Sequence, residues 1–150
     1  MKKTVAIILL LATVFLMVCC RAEPDSYGLL IEFVNTYGAD GVIYSPIVPE
    51  GKDGYIRDGF VETIYLFYGR FPENYAIFLN SRPDFSSECG IFVCSDAEMV
   101  DIVEEMCLER IRLLCSGDKR AFVKRNHNVV FYSTLPDRER AEKIFSEIIR

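Results

Sequence analysis

Two runs, Asn74 to Asn80 (NYAIFLN) and Glu88 to Cys94 (ECGIFVC), constrain the fold of this chain more than any other feature. Both are short, β-branched and aromatic, and a Pro-, Asp- and Ser-rich connection separates them. Runs of this kind read as two strands of a hairpin. The connection is longer than a tight turn, so it does not fix the register. Asn128 to Thr134 (NVVFYST) reads as a third strand.

Helical spacing surrounds these runs. Leu30, Phe33, Val34 and Tyr37 share one face of a first helix that Gly38 ends. Gly41 to Gly54 is punctuated by Pro and Gly and reads as loop, with an extended piece at Val42 to Tyr44. Asp58 to Phe67 is a weaker second helix, with Asp58 as its cap and Gly69 just past its end. Ser95-Asp96-Ala97-Glu98 is a capping box that opens a long helix to about Cys115. Its stripe is Met99, Ile102, Val103, Met106, Leu113 and Leu114, with Arg110 in line. After Pro136 a last helix repeats Ala141, Ile144, Phe145, Ile148 and Ile149 on one side. The expected fold is α+β: a small, mostly antiparallel sheet of about three strands with helices packed on one face. It divides into a signal at residues 1–20, an N-terminal helix and loop at 21–54, and an α+β domain at 55–150.

The opening MKKTVAIILLLATVFLMVCC has the form of an export signal: Lys2 and Lys3, an apolar core from Val5 to Val18, then Cys19 and Cys20. A lipoprotein signal resembles Leu-x-small-Cys, cut before the cysteine. Cys20 has small Cys19 before it but Met17 in place of Leu. Cys19 has Leu16 well placed but bulky Val18 beside the cut. Cys20 is therefore the expected lipid attachment site for palmitate-class chains, with Cys19 as the alternative. Cleavage after Ala22 would instead release a secreted protein, and an uncleaved span is the third option. The expected location is extracytoplasmic and membrane-anchored.

The remaining chain is rich in Ile, Val, Phe and Tyr, which argues for a folded domain over a disordered stalk. Acidic residues outnumber basic ones, 22 against 17, and the excess lies before the last third of the chain. That balance speaks against nucleic acid as a partner. Export permits disulfides among Cys89, Cys94, Cys107 and Cys115, in any of three complete pairings, although buried free thiols are the simpler expectation. A single histidine and the lack of C-x-x-C spacing give no basis for a metal, and no cofactor motif is present.

His127, the only histidine, sits in a polar turn before a strand and reads as an exposed loop residue. Arg110 interrupts an apolar stripe. It either recognises an anion through its planar fork or is partly buried against an acid such as Glu88, and the second is the simpler account. Lys119, Arg120, Lys124 and Arg125 form a basic cluster suited to an anionic surface, either lipid headgroups or a wall polymer. A solvated loop is the plainer account of the same residues.

Tyr68-Gly69, Asn74 to Asn80, Glu88-Cys89-Gly90-Ile91-Phe92, Asp96, Arg110, Val129 to Tyr132 and the helix ending at Ile149 together are similar to the domain-of-unknown-function family DUF4358, found in lipoproteins of clostridia and related Firmicutes. The resemblance spans about residues 60–150. The basic stretch Gly117 to Asn128 departs from it, lacking a Tyr-x-Pro feature of the family. The family implies an envelope lipoprotein and brings no activity or catalytic residue. The functional expectation is a non-catalytic binding or scaffolding protein, held at the membrane by its lipid, with an envelope protein or anionic polymer as partner. The alternative is an envelope hydrolase or thiol-dependent enzyme that uses His127 or a free cysteine.

Overall fold

The computed structural model describes residues 24–57, 59–67, 69–81, 87–114 and 119–150. The signal, with Cys19 and Cys20, and also Asp58, Tyr68 and Cys115, lie outside the described residues. The chain is α+β. Its strands are β1 (Gly41–Tyr44), β2 (Asn74–Asn80), β3 (Glu88–Val93), β4 (Phe122–Asn126) and β5 (Val129–Ser133). They form one sheet in the order β1-β2-β3-β5-β4, antiparallel at every pairing. The helices are α1 (Ser26–Tyr37), α2 (Phe60–Tyr65), α3 (Ala97–Leu114) and α4 (Arg138–Ile148).

Two expectations need correction. The sheet has five strands, where about three were expected. The helices also cover both faces, where one was expected. On one face α1 and α4 pack through Leu30, Phe33, Ile144 and Phe145 onto Phe78, Ile91 and Phe131. On the other, α2 and α3 pack through Tyr65, Met99, Val103 and Met106 onto Tyr75, Ile77, Phe92, Val130 and Tyr132. The cause is visible in the strands. Every residue of β3 and β5 is buried. An apolar run without alternation belongs to a strand covered on both sides.

Residues 24–54 are not a segment apart. β1 pairs with β2 along its whole length, from Gly41 opposite Asn80 to Tyr44 opposite Ile77. α1 contributes Leu30 and Phe33, both fully buried, to the core it shares with α4. Gly38 ends α1 as expected, in the left-handed region at φ 74°, with its N–H donating to the Val34 carbonyl.

Local chemistry explains the other boundaries. α3 is capped by Asp96, whose Oδ1 accepts from the Met99 N–H at 2.8 Å. Ser95, the expected cap, instead donates to Asp96 Oδ2. These bonds hold the Asp96 carboxyl below the usual carboxylate range. The buried side of α3 is Met99, Val100, Val103, Met106 and Cys107. Leu113, expected in that stripe, is 58 % exposed. α2 is shorter than expected, ending at Tyr65 with Leu66 in the left-handed region at φ 50°.

Candidate functional site

β3 begins with a fully buried carboxylate. Glu88 shares the α3 face with Gly90 and Phe92, because alternate residues of a strand point the same way. Gly90 stands opposite Tyr132 on β5. A Cβ at Gly90 would lie 2.7 Å from the Tyr132 ring, so only glycine leaves that ring room to lie across β3. The Tyr132 hydroxyl then reaches Glu88 and donates to Oε1 at 2.6 Å. With that proton committed, Tyr65 of α2 donates to the Tyr132 oxygen, at 2.8 Å.

Arg110 of α3 completes the cluster. Its Nε and Nη2 donate to the two oxygens of Glu88 at 2.8 and 2.7 Å. Its Nη1 donates to the Ile64 carbonyl at 2.7 Å, which satisfies an otherwise unpaired group near the end of α2. Burial opposes the charge on Arg110, but the hydrogen bond and charge of Glu88 outweigh it and push its pKa up. Burial first, and the charge of Glu88 second, push the Tyr65 and Tyr132 hydroxyls well above their ordinary range. Among the described residues no buried side-chain nitrogen or oxygen lacks a partner. The network ties β3, β5, α2 and α3 together.

Above this network, between the end of α2 and the outer side of α3, lies an open groove of about 670 Å³. Tyr65, Leu66 and Phe67 form one wall, and Ile102, Met106 and Leu113 the other. Leu66 and Leu113, 62 % and 58 % exposed, are two of the three large exposed apolar residues described; the third, Ile47, lies elsewhere. Asp101, Glu105 and Glu109 edge the groove at successive i, i+4 positions of α3.

The residues singled out by sequence are dispersed. Lys124 and Arg125 are neighbours on β4, so they point to opposite faces of the sheet. Lys124 donates to Ser146 of α4 at 2.9 Å, while Arg125 pairs with Asp101 and Glu104 of α3 at 3.0 and 3.2 Å. Lys119 and Arg120 are exposed in the turn before β4. Phe122 to Asn126, expected as part of a basic loop, is an edge strand of the sheet.

The two poles of the sheet differ. Asn74 holds the chain where it enters the domain, donating to the Pro24 carbonyl and accepting from the Ser26 N–H. The turn between β4 and β5 shares that pole, with Asn126 donating to the Ile149 carbonyl. Lys119 lies at the other pole, beside the start of α4, where Arg138 donates to its carbonyl.

His127 is exposed in that two-residue turn, with φ 53°, and no hydrogen bond joins it to a described cysteine or carboxylate. Cys89, Cys94 and Cys107 are buried free thiols. Burial pushes Cys89 and Cys107 well up, and burial together with Asp96 pushes Cys94 up to about 11. At neutral pH all three are therefore thiols and poor nucleophiles. Among the described residues no group of three His, Cys, Asp or Glu could hold a metal ion, and no helix is long and apolar enough to cross a membrane.

No family model, curated protein or solved structure matches the chain. The resemblance to DUF4358 therefore rests on the residues quoted for it alone.

Sequence reasoning found the Arg110–Glu88 pair but missed the groove. Spacing offered no signal for it. Leu113 follows Arg110 by three residues, which keeps it on the same side of α3, yet the buried residues of the helix end at Cys107.

Proposed function

We propose that this is an exported protein, tethered at Cys20 by lipid to the outer side of a membrane, whose domain binds a protein partner without catalysis. The groove carries this reading: it is an apolar surface, open to solvent, beside a polar network whose groups bond to one another. Isolated exposed apolar residues are ordinary, but Leu66 and Leu113 line the same open groove, and exposed apolar surface gathered in one place marks interaction sites. The same resemblance that suggested DUF4358 agrees with an envelope lipoprotein and adds no activity.

The tether gives the domain a direction. Pro24 follows Cys20 by four residue steps, a reach of at most about 14 Å. The pole holding Pro24 would then face the membrane. Lys119 and Arg120 would stand at the far pole, about 20 Å further out along β2. Contact of the whole basic cluster with headgroups is the weaker use of these residues. A partner out in the envelope is the stronger.

Metabolic labelling with an alkyne fatty acid tests the anchor. The wild type and Cys19→Ser should label, and Cys20→Ser should not. An unlabelled wild type sinks the lipid-anchored reading, and label lost only in Cys19→Ser moves the site to Cys19.

A further inference from the structure

We infer that the groove between α2 and α3 receives an amphipathic helix of a partner protein, with leucine-like residues on one side and a row of lysine or arginine beside them. This deepens the binding role proposed above and rests on it.

Three observations converge. First, the apolar walls are held in place before any partner arrives. Arg110 is fixed by Glu88, and its third hydrogen bond anchors the Ile64 carbonyl, so α2 cannot drift from α3. A preformed groove avoids part of the ordering cost of association. Second, Leu66 is exposed in the left-handed region at φ 50°. A branched apolar residue there is strained and gains nothing from the water around it, and such strain clusters where a structure presents a side chain.

Third, the rim is acidic in a regular way. Asp101, Glu105 and Glu109 stand one turn apart on α3, at 75 %, 66 % and 53 % side-chain exposure. Arg125 pairs with Asp101, and Arg112 with Glu105 and Glu109. These pairs are exposed, so they hold their geometry weakly and can exchange for new partners. Among the described residues, three rim carboxylates face two guanidiniums, and the rim keeps a negative excess. A helix laid along α3 would set its own i, i+4 row of cations against that row. The same excess disfavours a fatty acid or an anionic lipid. The openness of the groove disfavours a small ligand, which a site usually encloses.

The test uses the full chain in nanodiscs of uncharged phosphatidylcholine, with empty nanodiscs as baseline. The probes are two labelled 18-residue peptides. One repeats leucine at i, i+3, i+4 and i+7 with a flanking lysine row; the other has glutamate for every lysine. Fluorescence anisotropy should show the lysine peptide binding at least about tenfold tighter than the glutamate peptide, as a charge-matched interface requires. Leu66→Asp and Leu113→Asp should each abolish that binding. Both positions are exposed, so these variants should melt like the wild type. Glu105→Lys with Glu109→Lys should reverse the peptide preference. Equal binding of the two peptides, or binding unmoved by the leucine variants, overturns the inference. So does a wild type that binds neither peptide. That last result leaves the lipid-anchor reading standing on its own labelling test.

Discussion

Along β3 the residues alternate between two environments. Cys89, Ile91 and Val93 enter the core under α1 and α4, where the large buried side chains are Phe33, Phe78, Phe131 and Phe145. Glu88, Gly90 and Phe92 face α3, where a carboxylate, a guanidinium and two phenols share one hydrogen-bonded network. One face has a dry core of aromatic rings and aliphatic side chains. The other is joined by directional bonds and ends in an open groove. Dispersion and burial serve the first face well, because they ask only for filled space. The second needs α2 held at a set distance from α3, and directional polar bonds fix position better than apolar contact does. The structural work of the polar network is therefore placement of the groove wall, more than stability as such.

The largest test of this contrast is Arg110→Ala. It leaves Glu88 buried and unpaired and should cost about 4 kcal/mol of unfolding free energy in urea, the usual scale for half of a buried pair. Glu88→Leu combined with Arg110→Met should recover most of that loss, since apolar residues can replace a buried pair at little net cost. Hydrogen exchange should nevertheless quicken in α2, because Ile64 has lost its donor. Full stability with unchanged exchange in α2 would break the placement argument.

On the dry face, Phe131→Ala removes a ring stacked on Phe145 at 4.5 Å and tilted against Phe33 at 4.8 Å. It should cost about 3 kcal/mol and leave exchange in α2 untouched until global unfolding. Smaller again is Tyr132→Phe. It deletes the donor to Glu88 and the acceptor for Tyr65 while keeping the ring packed, at about 1–2 kcal/mol by thermal or urea melting.

The smallest effect at ordinary pH is the tyrosine titration. Tyr65 and Tyr132 have folded pKa values well above 10.0, and Tyr75 is pushed up to about 12 by burial and Glu62. Raised folded values mean that the unfolded chain releases these protons first. Their contribution is fully present below the unfolded tyrosine pKa of about 10 and is lost as pH climbs through the folded values. Absorbance at 295 nm should show these three phenols ionising only as the protein unfolds in alkali. At the other end, the lowered pKa of Asp96 makes the cap of α3 fail as pH falls below the carboxylate range, read as earlier exchange in the first turn of α3.

Much of this was legible in the sequence. α1 with its glycine stop, the β2–β3 hairpin, α3, β5 and α4 all carried clear periodicity or punctuation. The Arg110–Glu88 pair followed from one charge in an apolar stripe and one acid at the head of an apolar strand. β4 was hidden because Lys124 and Arg125 hold their ammonium and guanidinium against partners on α4 and α3. Their charges suggested solvent where each stem runs beside a helix. The three-layer arrangement was hidden too, although the unalternating runs of β3 and β5 signalled cover on both sides. The groove depends on how far α2 stands from α3, a tertiary distance that no local pattern encodes.

The central claim is that the α2–α3 groove is covered in the envelope by a partner. Hydroxyl-radical footprinting of the protein in its native membrane, against the purified protein, measures this directly. Leu66 and Leu113 should be oxidised readily when purified and protected in the envelope. Ile47, 61 % exposed and remote from the groove, should react equally in both. Equal oxidation of Leu66 and Leu113 in the two states, or protection that falls on Ile47 instead, would contradict the account.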